Sequence, residues 1–182
     1  MSVHPTADGI SGARADAADI TDSGAASDTR ATPPVEKPGL ALPFAFGGPC
    51  CSAILRLEPE DFQVDEVTLV EPDGKGEHVL LWIEKRNANT EWLAGQLARH
   101  AGVPRVDVSY AGMKDRRALT RQWFSVRLAA RPEPDWAVLK SNEFRILRTV
   151  RHSRKLKTGA LRGNRFLIRA RELQGDTQQL VD

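Results

Sequence analysis

The chain has 182 residues, of which 41% are hydrophobic and 27% are charged, and its formal net charge is +2. This length suits one domain plus a tail, and the apolar content is enough for a hydrophobic core. No apolar run is long enough to span a membrane, and no hydrophobic signal core stands near the N-terminus. These features argue against a membrane-embedded or secreted protein and predict a soluble protein of the cytoplasm.

The N-terminal segment differs in composition from the rest. Residues 1–37 contain no aromatic side chain and hold six acidic residues against three basic ones. Such a segment cannot bury enough apolar surface to offset the entropy lost on ordering. The first Phe, Trp or Tyr is Phe44. We therefore expect a disordered extension over residues 1–43 and a folded domain over residues 44–182.

The first elements of that domain are predicted to be strands. Residues 54–59 are extended, because a proline at position 59 excludes a helix through them. Residues 61–67 alternate apolar and polar side chains, which predicts a half-buried strand. Residues 72–76 read as a turn, and the apolar run at residues 79–83 predicts a more buried strand.

One helix is predicted next. Asn89 or Thr90 can cap its N-terminus, apolar side chains follow at helical spacing, and Gly102 ends it. A short strand at residues 106–110 then leads into a charged loop, and a strand at residues 122–128 leaves that loop.

The last part of the chain adds further elements. Residues 135–140 can form a short helix, and strands near residues 143–150 and 164–171 flank a basic loop at residues 151–163. Residues 176–182 resemble the start of a helix whose apolar face has barely begun, so we expect the chain to be the N-terminal part of a longer protein. The sum predicts an α+β fold with a mainly antiparallel mixed sheet and flanking helices.

The charged loop contains a carboxylate among cations. Asp115 stands between Lys114 on one side and Arg116 and Arg117 on the other, just past a glycine. Nearby positive charge favours an ionised carboxylate, and a loop between two strands is where a rigid scaffold presents a catalytic group. The alternative is an exposed loop whose charges pair weakly with one another.

A second charge feature lies downstream. The stretch of residues 145–171, here called the basic stretch, holds ten Lys or Arg and no Asp or Glu. An uncompensated run of this kind indicates a polyanion such as nucleic acid, although a solvated basic surface gives the same pattern.

The cysteines indicate no disulfide framework. Cys50 and Cys51 are adjacent, with no second pair and no histidine at metal-ligand spacing. We therefore expect a reducing compartment and no zinc site.

Three sequence patches in fixed order carry a family resemblance. They read EPEDF at residues 58–62, AGMKDRRALTRQ at residues 111–122 and RHSRKLKTGALRGNRF at residues 151–166, with an Asn-Thr dipeptide at residues 89–90. Together they resemble the TruD family of tRNA pseudouridine synthases over roughly residues 50–172. The family's downstream FGxQRFG motif and its inserted second domain are absent from this sequence.

The resemblance implies a reaction and a partner. It implies isomerisation of a uridine in the D arm of tRNA, at position 13 in bacterial members, without cofactor or metal. It also implies an incomplete pseudouridine synthase catalytic domain and tRNA as the macromolecular partner. We further expect no membrane association, in line with the lack of a long apolar run, and a monomeric state.

The resemblance also assigns roles to individual residues. Asp115 matches the family's catalytic aspartate, and Arg56 stands where the family has a basic residue near it. Phe62 and Asn164 match substrate-contacting positions, and Phe166 matches the aromatic position against the target base. The predicted contacts to the RNA backbone are Lys114, Arg116, Arg151, His152, Lys155 and Lys157.

Each of these residues also has a simpler interpretation. Phe62 and Phe166 lie on predicted strands in which apolar and polar residues alternate, and aromatic side chains in such strands usually belong to the hydrophobic core. Asn164 after a glycine is typical of a turn, and Arg56 is by default a surface arginine. The alternative function from another class is a non-catalytic RNA-binding module that uses the basic stretch as its surface.

Overall fold

A computed structural model of the chain describes residue 44 and residues 47–139 and 141–180. The predicted disordered extension at residues 1–43 lies outside the described residues. The described residues between 47 and 180 belong to one compact unit. No helix among the described residues is long and apolar enough to cross a membrane.

The described residues contain eight strands and one α-helix. The strands are β1 Cys51–Leu55, β2 Phe62–Thr68, β3 His78–Arg86, β4 Val108–Tyr110, β5 Leu119–Arg127, β6 Phe144–His152, β7 Leu161–Ile168 and β8 Ala170–Gly175. The helix is α1, Thr90–Ala101.

Six of the strands form one mixed sheet. Its order is β6-β3-β5-β2-β7, and β4 pairs with β5. β2 pairs in parallel with β5 at residues 119–121, and β4 pairs antiparallel with β5 at residues 124–126. The other pairs in this sheet are antiparallel. The predicted α+β fold with a mainly antiparallel mixed sheet is therefore confirmed.

The helix is confirmed with both of its caps. The Asn89 side chain accepts hydrogen bonds from the backbone N–H groups of Glu91 and Trp92, which the first turn otherwise leaves unpaired. Gly102 ends α1 with φ of 63°, a left-handed conformation that glycine adopts without a Cβ clash. On the buried face of α1, Leu93 and Leu97 pack into the main hydrophobic core against alternate side chains of β3 and β5.

Three predictions in the C-terminal third of the chain are corrected. The predicted strand at 164–171 is divided, because β7 pairs with β2 whereas β8 turns away to pair with β1 in a separate two-stranded sheet. The predicted helix at 135–140 is a single 3₁₀ turn over Trp136–Val138, since the backbone leaves helical angles at Leu139. Of the predicted helix at 176–182, the described part is a 3₁₀ turn over Thr177–Leu180.

Candidate active site

Asp115 lies in the connection between β4 and β5, residues 111–118, here called the Asp115 loop. Its carboxylate is 46% exposed, and its Oδ1 lies 3.5 Å from Nη1 of Arg56. Arg56 follows β1 directly and has φ of +58°. Two segments that are far apart in the sequence therefore meet at one ion pair.

Arg56 also contacts an aromatic ring. The centre of its guanidinium group lies 3.6 Å from the ring centroid of Phe62. A planar guanidinium can stack on a ring and still direct N–H groups at a carboxylate, which a lysine ammonium does less well. Phe62 thus holds the arginine that faces Asp115.

The aromatic contact extends to the neighbouring strand. The ring centroids of Phe62 and Phe166 are 5.8 Å apart, with the rings tilted by 43°. Phe62 is buried at 7% exposure, as its core interpretation requires, but Phe166 is 54% exposed and is not a core residue. The exposed ring of Phe166 leaves an aromatic surface open beside the ion pair.

Asn164 lies on the same face of the sheet as these rings. In the antiparallel pairing of β2 and β7, Asn164 is opposite Glu66 and Phe166 is opposite Val64. Directly opposed residues point to one face, and residues two apart on a strand share it. Asn164 is within a strand, so the turn interpretation of this residue is wrong.

Buried side chains from other elements fix the backbone of the Asp115 loop. The Gln122 side-chain amide donates to the carbonyl of Gly112 at 2.9 Å, and the hydroxyl oxygen of Thr90 accepts the N–H of Lys114 at 3.1 Å. The ammonium of Lys85 donates to the carbonyl of Asp115 at 2.7 Å. The sequence analysis assigned no role to Gln122 or Lys85 and considered Thr90 only as an alternative helix cap, although Thr90 and Gln122 belong to the motifs.

Lys114 forms a buried ion pair. Its Nζ lies 3.2 Å from Oε2 of Glu66, and the two side chains are 5% and 0% exposed. Burial raises the pKa of the Glu66 carboxyl, against the opposing effects of the Lys114 charge and the hydrogen bonds from Lys114 and the Trp123 backbone. The predicted contact of Lys114 with an RNA phosphate is therefore not available in this arrangement.

His152 is likewise enclosed by protein. It is buried, and its Nδ1 lies 3.1 Å from Oδ1 of Asp73. Hydrogen bonds, first that from the Ser153 hydroxyl and then those from the Lys75 backbone and His152, lower the pKa of Asp73 to about 2. These contacts hold the His152 ring against Asp73, at the wall of a groove that Lys155 and Lys157 also line.

The basic stretch does not form a single surface. β6 and β7 are at opposite ends of the strand order, so their side chains lie apart. Several of its arginines also pair with acids from other elements; these are Arg145 with Glu84, Arg151 with Glu133, and Arg169 and Arg171 with Asp61. A count along the sequence misses those distant acids and overstates the free positive charge.

The remaining predicted backbone contacts lie at the surface. Lys155 and Lys157 line a groove of about 690 Å³ together with Arg154, and Asp115 is not part of its lining. We call this the basic groove. Lys155 donates from Nζ to the carbonyl of Val106 at 3.0 Å, and Lys157 and Arg116 are exposed.

Neither a metal cluster nor a disulfide occurs within the described part of the chain. No group of three or more His, Cys, Asp or Glu side chains there is arranged to hold a metal ion. Cys50 and Cys51 are both free, and the Cys51 thiol donates to the carbonyl of Asp176 at 3.0 Å.

The comparisons with known proteins all point to one protein family. The family model described as tRNA pseudouridine synthase D (TruD) matches residues 42–182. Among curated relatives, a tRNA pseudouridine synthase D from Nitrosococcus oceani is 55% identical over 142 residues, which cover 76% of this chain and 40% of the relative. One from Methylococcus capsulatus is 54% identical over 134 residues, covering 74% and 38%.

A solved structure agrees. The crystal structure of a Methanosarcina mazei protein assigned as tRNA pseudouridine synthase D (TruD) superposes with a TM-score of 0.58 at 31% identity, covering 70% of this chain and 29% of that one. This chain spans about 40% of the length of the curated relatives that it matches. With the family model matching most of its residues, the chain belongs to the TruD family of tRNA pseudouridine synthases.

Proposed function

We propose that this chain carries the catalytic aspartate of an enzyme that isomerises a uridine of tRNA, at position 13 of the D arm, to pseudouridine. Asp115 is the proposed catalytic residue. The relatives' names and the matching family model support the reaction class. The proposed enzyme works as a monomer in the cytoplasm, where its tRNA substrate is found, and two free thiols are in keeping with a reducing compartment.

One observation carries the assignment. A continuous series of contacts joins the Asp115 carboxylate to Arg56, Arg56 to the ring of Phe62, and Phe62 to the exposed ring of Phe166. We propose that a nucleotide whose base lies on Phe166 places its ribose on the side of Asp115. The arrangement therefore supports a site that holds base and sugar together.

The chemistry requires a carboxylate in this position. The reaction breaks the C1′–N1 bond of uridine and forms a C1′–C5 bond, while C5 loses a proton and N1 gains one. Positive charge develops on the ribose as the C–N bond breaks. An ionised carboxylate at the sugar can stabilise that charge, attack C1′ or remove a sugar proton. The atoms of a single substrate are rearranged, so the reaction consumes no second reactant.

The neighbouring side chains suit an extruded base. Removing a base from a folded tRNA costs a few kcal/mol, and stacking on an aromatic ring such as Phe166 returns roughly 1–3 kcal/mol. Asn164 offers both a donor and acceptors for a uracil edge. Phe62 is too buried to offer a full stacking face, so we propose that it acts through Arg56 and Phe166.

The proposed RNA backbone contacts are fewer than the sequence alone suggested. Lys155, Lys157 and Arg116 are exposed and can reach phosphates, and Arg151 can do so if it leaves Glu133. Lys114 does not belong to this set because it is paired with Glu66 in the interior, whereas the His152 ring is held by Asp73 at the wall of the basic groove. Contacts of this kind position the tRNA without reading its sequence.

The test replaces the carboxylate without changing its size. Asp115→Asn is made in the full product of the reading frame, and tritium release from tRNA labelled at uridine C5 is measured beside tRNA binding. We expect loss of pseudouridine formation with a Kd within about threefold. Asp107→Asn, at another surface carboxylate, should retain activity. Full activity of Asp115→Asn would end the assignment.

The second candidate, a non-catalytic RNA-binding module, draws on the basic groove. Under this alternative Asp115→Asn has no biochemical consequence, whereas Lys155→Glu and Lys157→Glu weaken tRNA binding. Removing one phosphate interaction should reduce the slope of log affinity against log salt by about 0.9. Pseudouridine formation by the wild-type protein, abolished by Asp115→Asn, would reject this alternative and leave the enzyme.

A further inference from the structure

Lys85 is a charged side chain in the interior of the sheet. It lies on β3 between β5 and β6, opposite Thr120 and Phe144, and its exposure is 0%. Taking an ammonium group out of water costs several kcal/mol unless partners compensate for it. An aliphatic side chain of similar volume would pack here without that cost.

The partners of Lys85 are backbone carbonyls. Its Nζ donates to the oxygen of Asp115 at 2.7 Å, to that of Ala88 at 2.9 Å and, at a longer 3.5 Å, to that of Lys114. The three N–H groups of an ammonium match these three acceptors. Among the described residues, none of its hydrogen-bond partners is a carboxylate oxygen, so Lys85 does not act as one half of an ion pair.

These contacts join two parts of the structure. Ala88 directly precedes the N-cap of α1, and Asp115 is at the centre of the Asp115 loop. Lys85 therefore ties the loop to the buried start of the helix. Burial lowers the pKa of Lys85 to about 8, the charge of Asp115 opposes this shift, and the charge of Lys114 adds to it.

The other end of Asp115 is held less firmly. Its carboxylate is exposed and meets Arg56 at 3.5 Å, and the two arginines that follow it are exposed as well. A misplacement of about 1 Å at a reacting group can cost about 100-fold in rate. The 2.7 Å hydrogen bond from Lys85 reaches the backbone carbonyl of the same residue that carries the carboxylate.

We propose that Lys85 is a positioning residue, which fixes the backbone at Asp115 so that the carboxylate is directed at the ribose. It does not touch the substrate. This inference rests on the proposed function of Asp115.

The experiment separates positioning from stability. Lys85→Met and Lys85→Gln are made in the full product of the reading frame; the glutamine keeps a donor on a shorter side chain. Leu97→Ala, in the core beneath α1, is the matched control, since it removes buried contacts but none to the Asp115 loop. Single-turnover rates, tRNA Kd and amide hydrogen exchange are measured where circular dichroism shows each protein folded.

We expect the Lys85 variants to lower the rate of the chemical step while the affinity for tRNA stays nearly unchanged. Both Lys85 variants should lose about 30-fold or more in the rate of pseudouridine formation, with Kd within about threefold, while Leu97→Ala stays within about threefold in both. Amides of residues 114–116 should exchange faster in the Lys85 variants than in the control. Lys85→Gln, which keeps the site polar, serves if Lys85→Met does not fold.

Two failures can be told apart. If Asp115→Asn is inactive but a folded Lys85 variant keeps the wild-type rate, the positioning role is wrong and the proposed function stands. If Asp115→Asn is fully active, the proposed function itself fails.

Discussion

The buried pair of Glu66 and Lys114 gives a sharp prediction of stability. Lys114→Met removes the ammonium and leaves the Glu66 carboxylate, 0% exposed, with the Trp123 backbone N–H at 3.4 Å as its remaining described hydrogen bond. Breaking a buried pair by removing one partner costs about 3–5 kcal/mol, because the other charge stays buried and uncompensated. For a domain of this size, that loss lowers Tm by roughly 10 °C or more.

The pH dependence follows from the direction of the Glu66 pKa. Burial already raises this pKa, and removing the Lys114 charge raises it further. A carboxyl whose pKa is raised on folding contributes stability that is present at low pH and declines as pH rises toward the folded pKa. The cost of Lys114→Met, measured against wild type at each pH, should therefore be smaller at pH of about 5 than at pH of about 8.

The assay is urea unfolding of the chain followed by circular dichroism. The double variant Glu66→Gln with Lys114→Met removes both charges and should recover about 2 kcal/mol of the loss. Arg127→Met, which breaks the surface pair with Glu77, is the matched control and should have little effect. The reasoning is refuted if Lys114→Met costs no more than this control, or if its cost does not change with pH.

Three further predictions concern the backbone and the interior. Gly76→Ala should destabilise the chain by at least about 2 kcal/mol in urea unfolding, because a Cβ there would meet the backbone of Ser153. The control Gly74→Ala places its Cβ in open space and should cost about 1 kcal/mol. Equal costs of the two variants would contradict this prediction. Asn89→Ala should cost about 1 kcal/mol by the same assay, and Asn89→Asp should cost much less; no loss on Asn89→Ala would show that the cap contributes nothing. The unfolding free energy of the wild type, measured relative to Lys85→Met, should rise by about 2 kcal/mol between pH of about 7.5 and about 10. The reason is that the folded chain releases the Lys85 proton near pH 8, whereas the unfolded chain keeps it until near pH 10.5. A difference that does not change with pH would contradict the lowered pKa of Lys85.

Local sequence patterns were sufficient to predict those helices and strands that are determined by interactions between near neighbours in the sequence. A cap at Asn89 or Thr90 and a stop at Gly102 were predicted, because a side chain and a glycine conformation act within a few residues, and the structure uses Asn89. The alternation at residues 61–67 likewise predicted β2, since burial of one face repeats every second residue. The motif order also indicated the family, which the comparisons confirm.

Tertiary structure decided which distant residues meet. The family resemblance placed Arg56 near Asp115, but the residues around Arg56 do not indicate that it stacks on Phe62. Both contacts depend on where β1 ends relative to the Asp115 loop. Lys85 lies outside the apolar run at residues 79–83 that predicted β3. The burial of both faces of β3 is what places its ammonium beneath the loop.

The sheet order is the other feature that only the folded chain reveals. It sends β6 and β7 to opposite edges and brings distant acids to the arginines of the basic stretch, so a charge count along the sequence did not describe a surface. The physical reason is the range of the interactions. Caps and alternation act between near neighbours, whereas strand pairing and buried ion pairs join residues that are distant in the sequence, and only the closed core selects among their possible partners.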